Sequence, residues 1–205
     1  MKRSMKRSMQ AVLLSGILLL VLSFALYGQE ADAAAETEAA AVAKASSDHQ
    51  LASILAFIGI GLLIGLSGTG SAVGTCIGAR ATVGAMKKRD DAFGSYLVLA
   101  AFPDTQGLYG FGCFFILTGT ISGQPGGWEA LTVLQGAVIL GSGIFAGIIL
   151  LLSSIKEGQV GADAIAAIAS GHDVFGKSMI LVIIPELYAI IAIASVFLVN
   201  AYLIP

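Results

Sequence analysis

Apolar residues in this chain run in blocks, without the alternation that marks a half-buried strand or the stripe that marks a surface helix. After an initial run from Ala11 to Tyr27, further blocks cover Leu51–Ala79, Gly94–Thr118, Leu131–Ser153 and Lys177–Leu203. At about 1.5 Å per residue, each of these four is long enough to cross the ~30 Å hydrocarbon core of a bilayer as a helix. The third is expected to continue helically to about Ala169. The pattern predicts an all-α membrane protein of two tandem transmembrane helical hairpins (four spans), preceded by a signal peptide or an extra N-terminal helix.

Polar residues that interrupt these blocks carry the chemistry. Pro103-Asp104 lies inside YLVLAAFPDTQGLYGFGCFFIL and Pro185-Glu186 inside VIIPELYAIIAIASVFLV, 82 residues further on. An unpaired charge at the centre of a membrane helix costs roughly 2.5 to 3.5 kcal/mol on insertion scales, so each carboxylate must be protonated, paired or coordinated to an ion. The surrounding sequence repeats at the same offset: DAFGSYLVLAAFPDTQ from Asp91 aligns with DVFGKSMILVIIPELY from Asp173. Both repeats start on the same side of the membrane, unlike the inverted repeats of many secondary transporters, and this parallel symmetry suits a ring or bundle. The first span supplies small residues for such packing at Gly61, Gly65, Gly68, Gly70, Gly74 and Gly78, where backbones can approach closely in lipid. Pro103 and Pro185 lack an N–H, so each is expected to kink its helix and free the carbonyl of Leu99 or Leu181.

Composition agrees with the pattern. Apolar residues make up 57% of the 205 and charged residues 12%, about half the charged fraction of an ordinary soluble domain. Cys76 and Cys113 lie in apolar stretches without a CxxC spacing, which argues against metal or redox chemistry. Lys2, Arg3, Lys6 and Arg7 before the first apolar run, with small residues after it, read as a signal peptide over 1–34. An Ala/Glu-rich stretch over 35–50 reads as a flexible linker. The two hairpins are then expected at 51–122 and 128–205. Arg80, Lys87, Lys88 and Arg89 fall between the first two spans, and Lys156 and Lys177 between the last two, while TISGQPGGWE carries no basic residue. The positive-inside rule therefore places both basic loops in the cytoplasm and the mature termini outside. Trp128 and Tyr202, near outer span ends, fit an aromatic belt, and His172 lies in the second cytoplasmic loop.

The glycine-rich first span, FPDTQGLYGF in the second, IPELYAI in the fourth and the duplication resemble the rotor proteolipid of V-type and A-type ATPases, the c or K subunit. The resemblance covers about Leu51 to Leu203. It implies identical copies forming a ring in a prokaryotic cell membrane, a stator subunit with half-channels, and a central stalk that meets the cytoplasmic loops. GARATVGAMKKRDD is the better candidate for that stalk contact. It implies no cofactor, transported H+ or Na+, and no catalysis by this chain. No GxxxxGK[ST] phosphate loop is present, consistent with ATP chemistry in partner subunits.

The resemblance also implies an ion site. Glu186 matches the family's essential carboxylate, Thr105 and Gln106 its polar ligands, Phe102 a backbone carbonyl ligand, and Tyr109 a hydrogen-bond donor to the carboxylate. Counting back 29 residues from Glu186, the family's usual separation, lands on Glu157, where sodium-binding members usually carry Gln; the plainer alternative is a carboxylate solvated beside Lys156 at the cytoplasmic helix end. If the ion is sodium, its ligands are Glu186, Glu157, Gln106 and Thr105, all hard oxygens. A carboxylate pair also suits shared protons, and the ion stays open between H+ and Na+. Asp104 stands where sodium-translocating members typically have Gly. Around it, Ser71 is taken as the match of Glu157, and Leu187 and Tyr188 of a neighbouring protomer as the matches of Thr105 and Gln106, so Asp104 is either a protonated or hydrogen-bonded spectator or, if it carries an ion, a binder of a proton and not sodium. The competing reading is a small passive channel or secondary transporter with an intramembrane acid, which has no need of the glycine face or of P-x-T-Q-G-L-Y-G.

Overall fold

The computed structural model describes residues 38–203 and is helical almost throughout; the expected signal peptide lies outside the described residues. Helix α1 spans Glu38–Met86. The stretch expected as a flexible linker to residue 50 is thus helical from Glu38 onward. That expectation is corrected for a simple reason: Ala and Glu, which lack the bulk for a core, are among the strongest helix formers. Next come α2 (Phe93–Ala101), a 3-10 turn (Phe102–Asp104) and α3 (Thr105–Gly123). A second short 3-10 turn, Gly127–Ala130, leads into α4 (Val133–Ala169) and then α5 (Phe175–Leu203). Thr132 and Gln135 exchange hydrogen bonds as a capping box that starts α4. Gly171, at φ +94°, ends the turn after it.

Among the described residues, three helical segments are long and apolar enough to cross a membrane: Ser47–Met86, Val133–Ala169 and Phe175–Ala201. The apolar run from α2 to α3 is divided at Pro103.

Close contacts give the helix directions. Adding a Cβ at Gly136 would strike Ala52, at Gly59 Leu140, at Gly70 Leu151, and at Gly158 Gly74. Positions along α1 and α4 rise together, so these two helices lie parallel and share a seam where glycine lets backbones touch. The glycines of α4 were not singled out as partners in the sequence. On α1, Gly78 meets Ala100, Gly74 meets Pro103 and Ser67 meets Gly110, so the α2–α3 segment runs antiparallel to α1. Gly70, Gly74 and Gly78 serve packing within the chain, whereas Gly61, Gly65 and Gly68 have nothing within 4 Å.

The interior is layered. One apolar cluster gathers Ala52, Ala56, Ile60, Leu63, Leu117, Ile121, Leu150 and Val196; a second gathers Tyr96, Leu99, Ile165, Ile168 and Val182. Between them lie the buried polar residues Ser67, Ser71, Gln106, Ser153, Ser154, Glu157 and Glu186. The outer surface is apolar, with Leu108, Leu134 and Ile180 each about two-thirds exposed. At the end carrying the basic loop, Arg89 pairs with Asp91 at 3.0 Å and reaches the Ile168 carbonyl at 3.4 Å. The Arg89 hydrogen bond holds the Asp91 carboxyl below its ordinary range.

Candidate ion-binding site

The polar layer is organised by two prolines. A proline inside a helix removes one backbone donor and crowds the carbonyl four residues back, and in an apolar medium the loosened backbone groups need new partners. At Pro103 the partner comes from the neighbouring helix. Ser71 donates to the Pro103 carbonyl at 2.6 Å and accepts from the Gly107 N–H at 2.7 Å. Its hydroxyl is spliced into the helix ladder, and Ser154 adds a second bond to the same carbonyl at 2.8 Å. Such an insertion bends a helix, which accounts for the 3-10 turn. At Pro185 the one side-chain donor among the described residues is Ser153, at 2.6 Å to the Pro185 carbonyl, and α5 continues unbroken. The Leu99 carbonyl, four residues before Pro103, is faced by Gly161, where a Cβ would lie 2.7 Å away.

Glu186 follows Pro185 and is buried at 9% exposure. Tyr109, one turn beyond Thr105 on α3, donates its hydroxyl to Glu186 Oε1 at 2.5 Å. Glu157 lies on α4 and is fully buried, as is Gln106. The Gln106 amide donates to Glu157 Oε2 at 2.7 Å and to Ser153 Oγ at 3.3 Å. The Thr105 hydroxyl lies 3.0 Å from the Phe102 carbonyl and 3.2 Å from Gln106 Oε1. Glu157 Oε1 is buried without a hydrogen-bond partner among the described residues. A buried carboxylate oxygen with no donor calls for a proton or a cation. Glu186, Glu157, Gln106, Thr105, Tyr109 and the Phe102 carbonyl therefore form a single layer, rich in oxygen and shielded above and below by apolar clusters. Glu157 is not solvated at a helix end.

Asp104 and Ser71 stand apart from this cluster. The Asp104 side chain is exposed on the apolar exterior, where Thr75 donates to its Oδ1 at 2.6 Å. Ser71 is committed to the Pro103 backbone. These bonds also correct the repeat register. Ser71 and Ser153 each stand 32 residues before the proline carbonyl they bond, so Ser71 corresponds to Ser153. Thr75, 29 residues before Asp104, corresponds to Glu157. Ser153, Ser154 and Thr75 were absent from the sequence-derived set, although the two serines at equal spacing from the prolines were a legible signal.

Comparison with known proteins bears on the whole arrangement. The family of the ATP synthase C-subunit matches twice, over residues 58–117 and 140–199. The chain belongs to the ATP synthase C-subunit family. Within it, the chain is similar to the A-type ATP synthase subunit K of Methanocaldococcus jannaschii, 32% identical over 151 residues, which cover 73% of this chain and 64% of that protein. It is also similar to the V-type sodium ATPase subunit K of Enterococcus hirae, 31% identical over 132 residues, covering 64% of this chain and 81% of that protein. The chain thus spans somewhat under two-thirds of the length of the first of these relatives. As a member of this family with an apolar helical exterior, it is an integral membrane protein. The first family match contains Pro103-Asp104 and the second Pro185-Glu186.

Proposed function

We propose that this chain is an ion-translocating rotor-ring subunit of a V/A-type ATPase membrane sector. In this reading it crosses the membrane four times, with hairpins at 51–122 and 128–205 after a signal peptide or extra helix, and with both basic loops in the cytoplasm of a prokaryotic cell. Identical copies form the ring, a stator subunit provides half-channels, and a central stalk engages the loops. ATP is made or consumed in partner subunits, and this chain catalyses no reaction.

The observation that best supports the reading is the buried pair of acidic groups in the middle of the helices, Glu186 beneath Tyr109 and Glu157 beneath Gln106. Glu186 carries the ion. The Tyr109 hydroxyl holds the carboxylate in one orientation, so its second oxygen is available to a proton or to a sodium ion shared with Thr105, Gln106 and the Phe102 carbonyl. Glu157 adds a carboxylate that either shares a proton with Glu186 or completes the oxygen set around a metal cation. Rotation into the stator exposes Glu186 to one half-channel for loading and to the other for release.

Carbodiimide labelling tests this. Glu186 is expected to react in the assembled protein, and Glu186→Gln to assemble yet lose ATP-driven ion uptake. Slower labelling with added sodium at fixed pH assigns a sodium site; labelling governed by pH alone assigns protons. Full ion uptake by Glu186→Gln would refute the reading.

A further inference from the structure

Two opposite charges lie on the apolar exterior at one depth, each without a counter-charge. Asp104 is exposed, with the Thr75 hydroxyl as its partner. Lys156 is exposed as well, and its ammonium meets the side-chain oxygen of Gln159 at 3.3 Å, one turn along its own helix. Among the described residues no carboxylate lies within ion-pair reach of it. The repeat sets the common depth: subtracting the offset of 82 places Lys156 on Gly74, the residue before Thr75. A neutral amide or hydroxyl does not offset the cost of either charge in lipid. Glu157, next to Lys156 in sequence, is turned inward to Gln106.

The repeat also shows what Lys156 faces. Within the chain, a Cβ on Gly74 would strike Ser154, and one on Gly158 would strike Gly74. The same relation carried one repeat further sets Lys156 against Ala72 and Cys76 of an adjoining copy, which flank that copy's Thr75. Both residues are exposed in the single chain. Glycine supports this docking independently. Gly59 and Gly143 press against each other, whereas their repeat equivalents, Gly141 on α4 and Gly61 on α1, have nothing within 4 Å. These bare glycines sit on different helices, as the two halves of a contact between copies do. Lys156 cannot pack backbone to backbone as Gly74 does, so the two helices stand further apart at its level. The lysine stem, spanning about one helical turn (~5.4 Å), fills the space.

We propose that Lys156 of one copy forms an ion pair with Asp104 of the next, with Thr75 as the second partner of that carboxylate. The proposal rests on the ring reading above. The two charges come from different surfaces of the same chain, so the contact is head-to-tail, the type that closes into rings. Pairing removes both charges from lipid in one step. It also separates the roles of the two proline-linked acids. Asp104 is held ionised by a fixed ammonium and joins copies, so each chain carries its ion at Glu186 alone.

Carbodiimide labelling of isolated wild-type rings tests the pair, with the Asp104 and Glu186 peptides followed separately by mass spectrometry. The reagent attacks protonated carboxyls, so Glu186 is expected to label while Asp104 stays unlabelled under the same conditions. Lys156→Met is expected to raise Asp104 labelling by about tenfold or more, the effect of losing an opposite charge within ~4–6 Å. Lys156→Arg should keep it low. If Lys156→Met rings do not assemble, adding Asp104→Asn is expected to restore them, because removing both members of an ion pair costs far less than removing one. Asp104 labelling as fast as that of Glu186 in wild-type rings, or unchanged by Lys156→Met, would overturn the pair and leave Lys156 snorkelling to the headgroups. Failure of the double variant to recover assembly lost in Lys156→Met would overturn it too. Absence of any ring from wild-type protein would instead refute the ring reading, so the two failures are distinguishable.

Discussion

Gln106 is the side chain that joins the acidic layer. Fully buried, it bonds Glu157 and Ser153 and lies beside Thr105, and Glu157 depends on it for the contact to Oε2. Removing one partner of a buried hydrogen bond leaves the other unsatisfied at a cost of about 1–3 kcal/mol, whereas removing both can be nearly neutral. Gln106→Leu is therefore expected to destabilise the assembled protein by that amount, read as thermal unfolding of the helical signal in detergent. Gln106→Leu combined with Glu157→Leu should recover most of the loss. A double variant as unstable as the sum of the singles would show that the two side chains act independently. Sequence reasoning found Glu157 through its separation from Glu186, yet its burial is a product of packing: the same position on an isolated helix, beside Lys156, would be solvated.

At the scale of elements, the two prolines make different helices from similar local sequence. Each has a serine hydroxyl on its carbonyl, but only Ser71 also accepts the backbone N–H four residues on. That added bond converts one apolar run into α2, a turn and α3, while α5 passes Pro185 unbroken. Ser71→Ala is expected to strand both the Gly107 N–H and part of the Pro103 carbonyl's bonding, at about 1–3 kcal/mol. Ser154→Ala should cost less, because Ser71 still satisfies that carbonyl. Thermal unfolding of the two variants side by side checks the order; equal losses would mean the spliced bond contributes nothing special. Of the kinks expected at both prolines, a break in the helix is seen at Pro103 alone among the described residues, because the deciding hydroxyl lies 32 residues away.

For the whole molecule, glycine separates contacts made inside the chain from those left to other copies. A Cβ at Gly143 would collide with the backbone of Gly59, while one at Gly61 meets nothing within the chain. Gly143→Ala is expected to prevent the chain from folding to a protease-resistant form, because neither helix backbone can give way. Gly61→Ala should leave the chain's own fold intact and even favour its helix by about 1 kcal/mol, yet lower the recovery of assembled rings on size-exclusion chromatography. Normal ring recovery in Gly61→Ala would remove this glycine from the contact between copies.

At the same scale, hydropathy and repetition in the amino-acid order alone determined the long apolar helices, the offset of 82 and the pair of proline-linked carboxylates, because each depends on residue type and spacing along one strand of chain. The tertiary structure decided which carboxylate is enclosed. Glu186 and Asp104 both follow a proline at matching places in the repeat, but α3 lies over Glu186 and no helix of the same chain lies over Asp104 among the described residues. The offset of 82 already makes Thr75, not Ser71, the counterpart of Glu157, and the fold decided only what each hydroxyl does, with Ser71 bonding the backbone and Thr75 the acid. Burial and hydrogen bonding are relations between segments distant in sequence, and these relations make two similar motifs unequal.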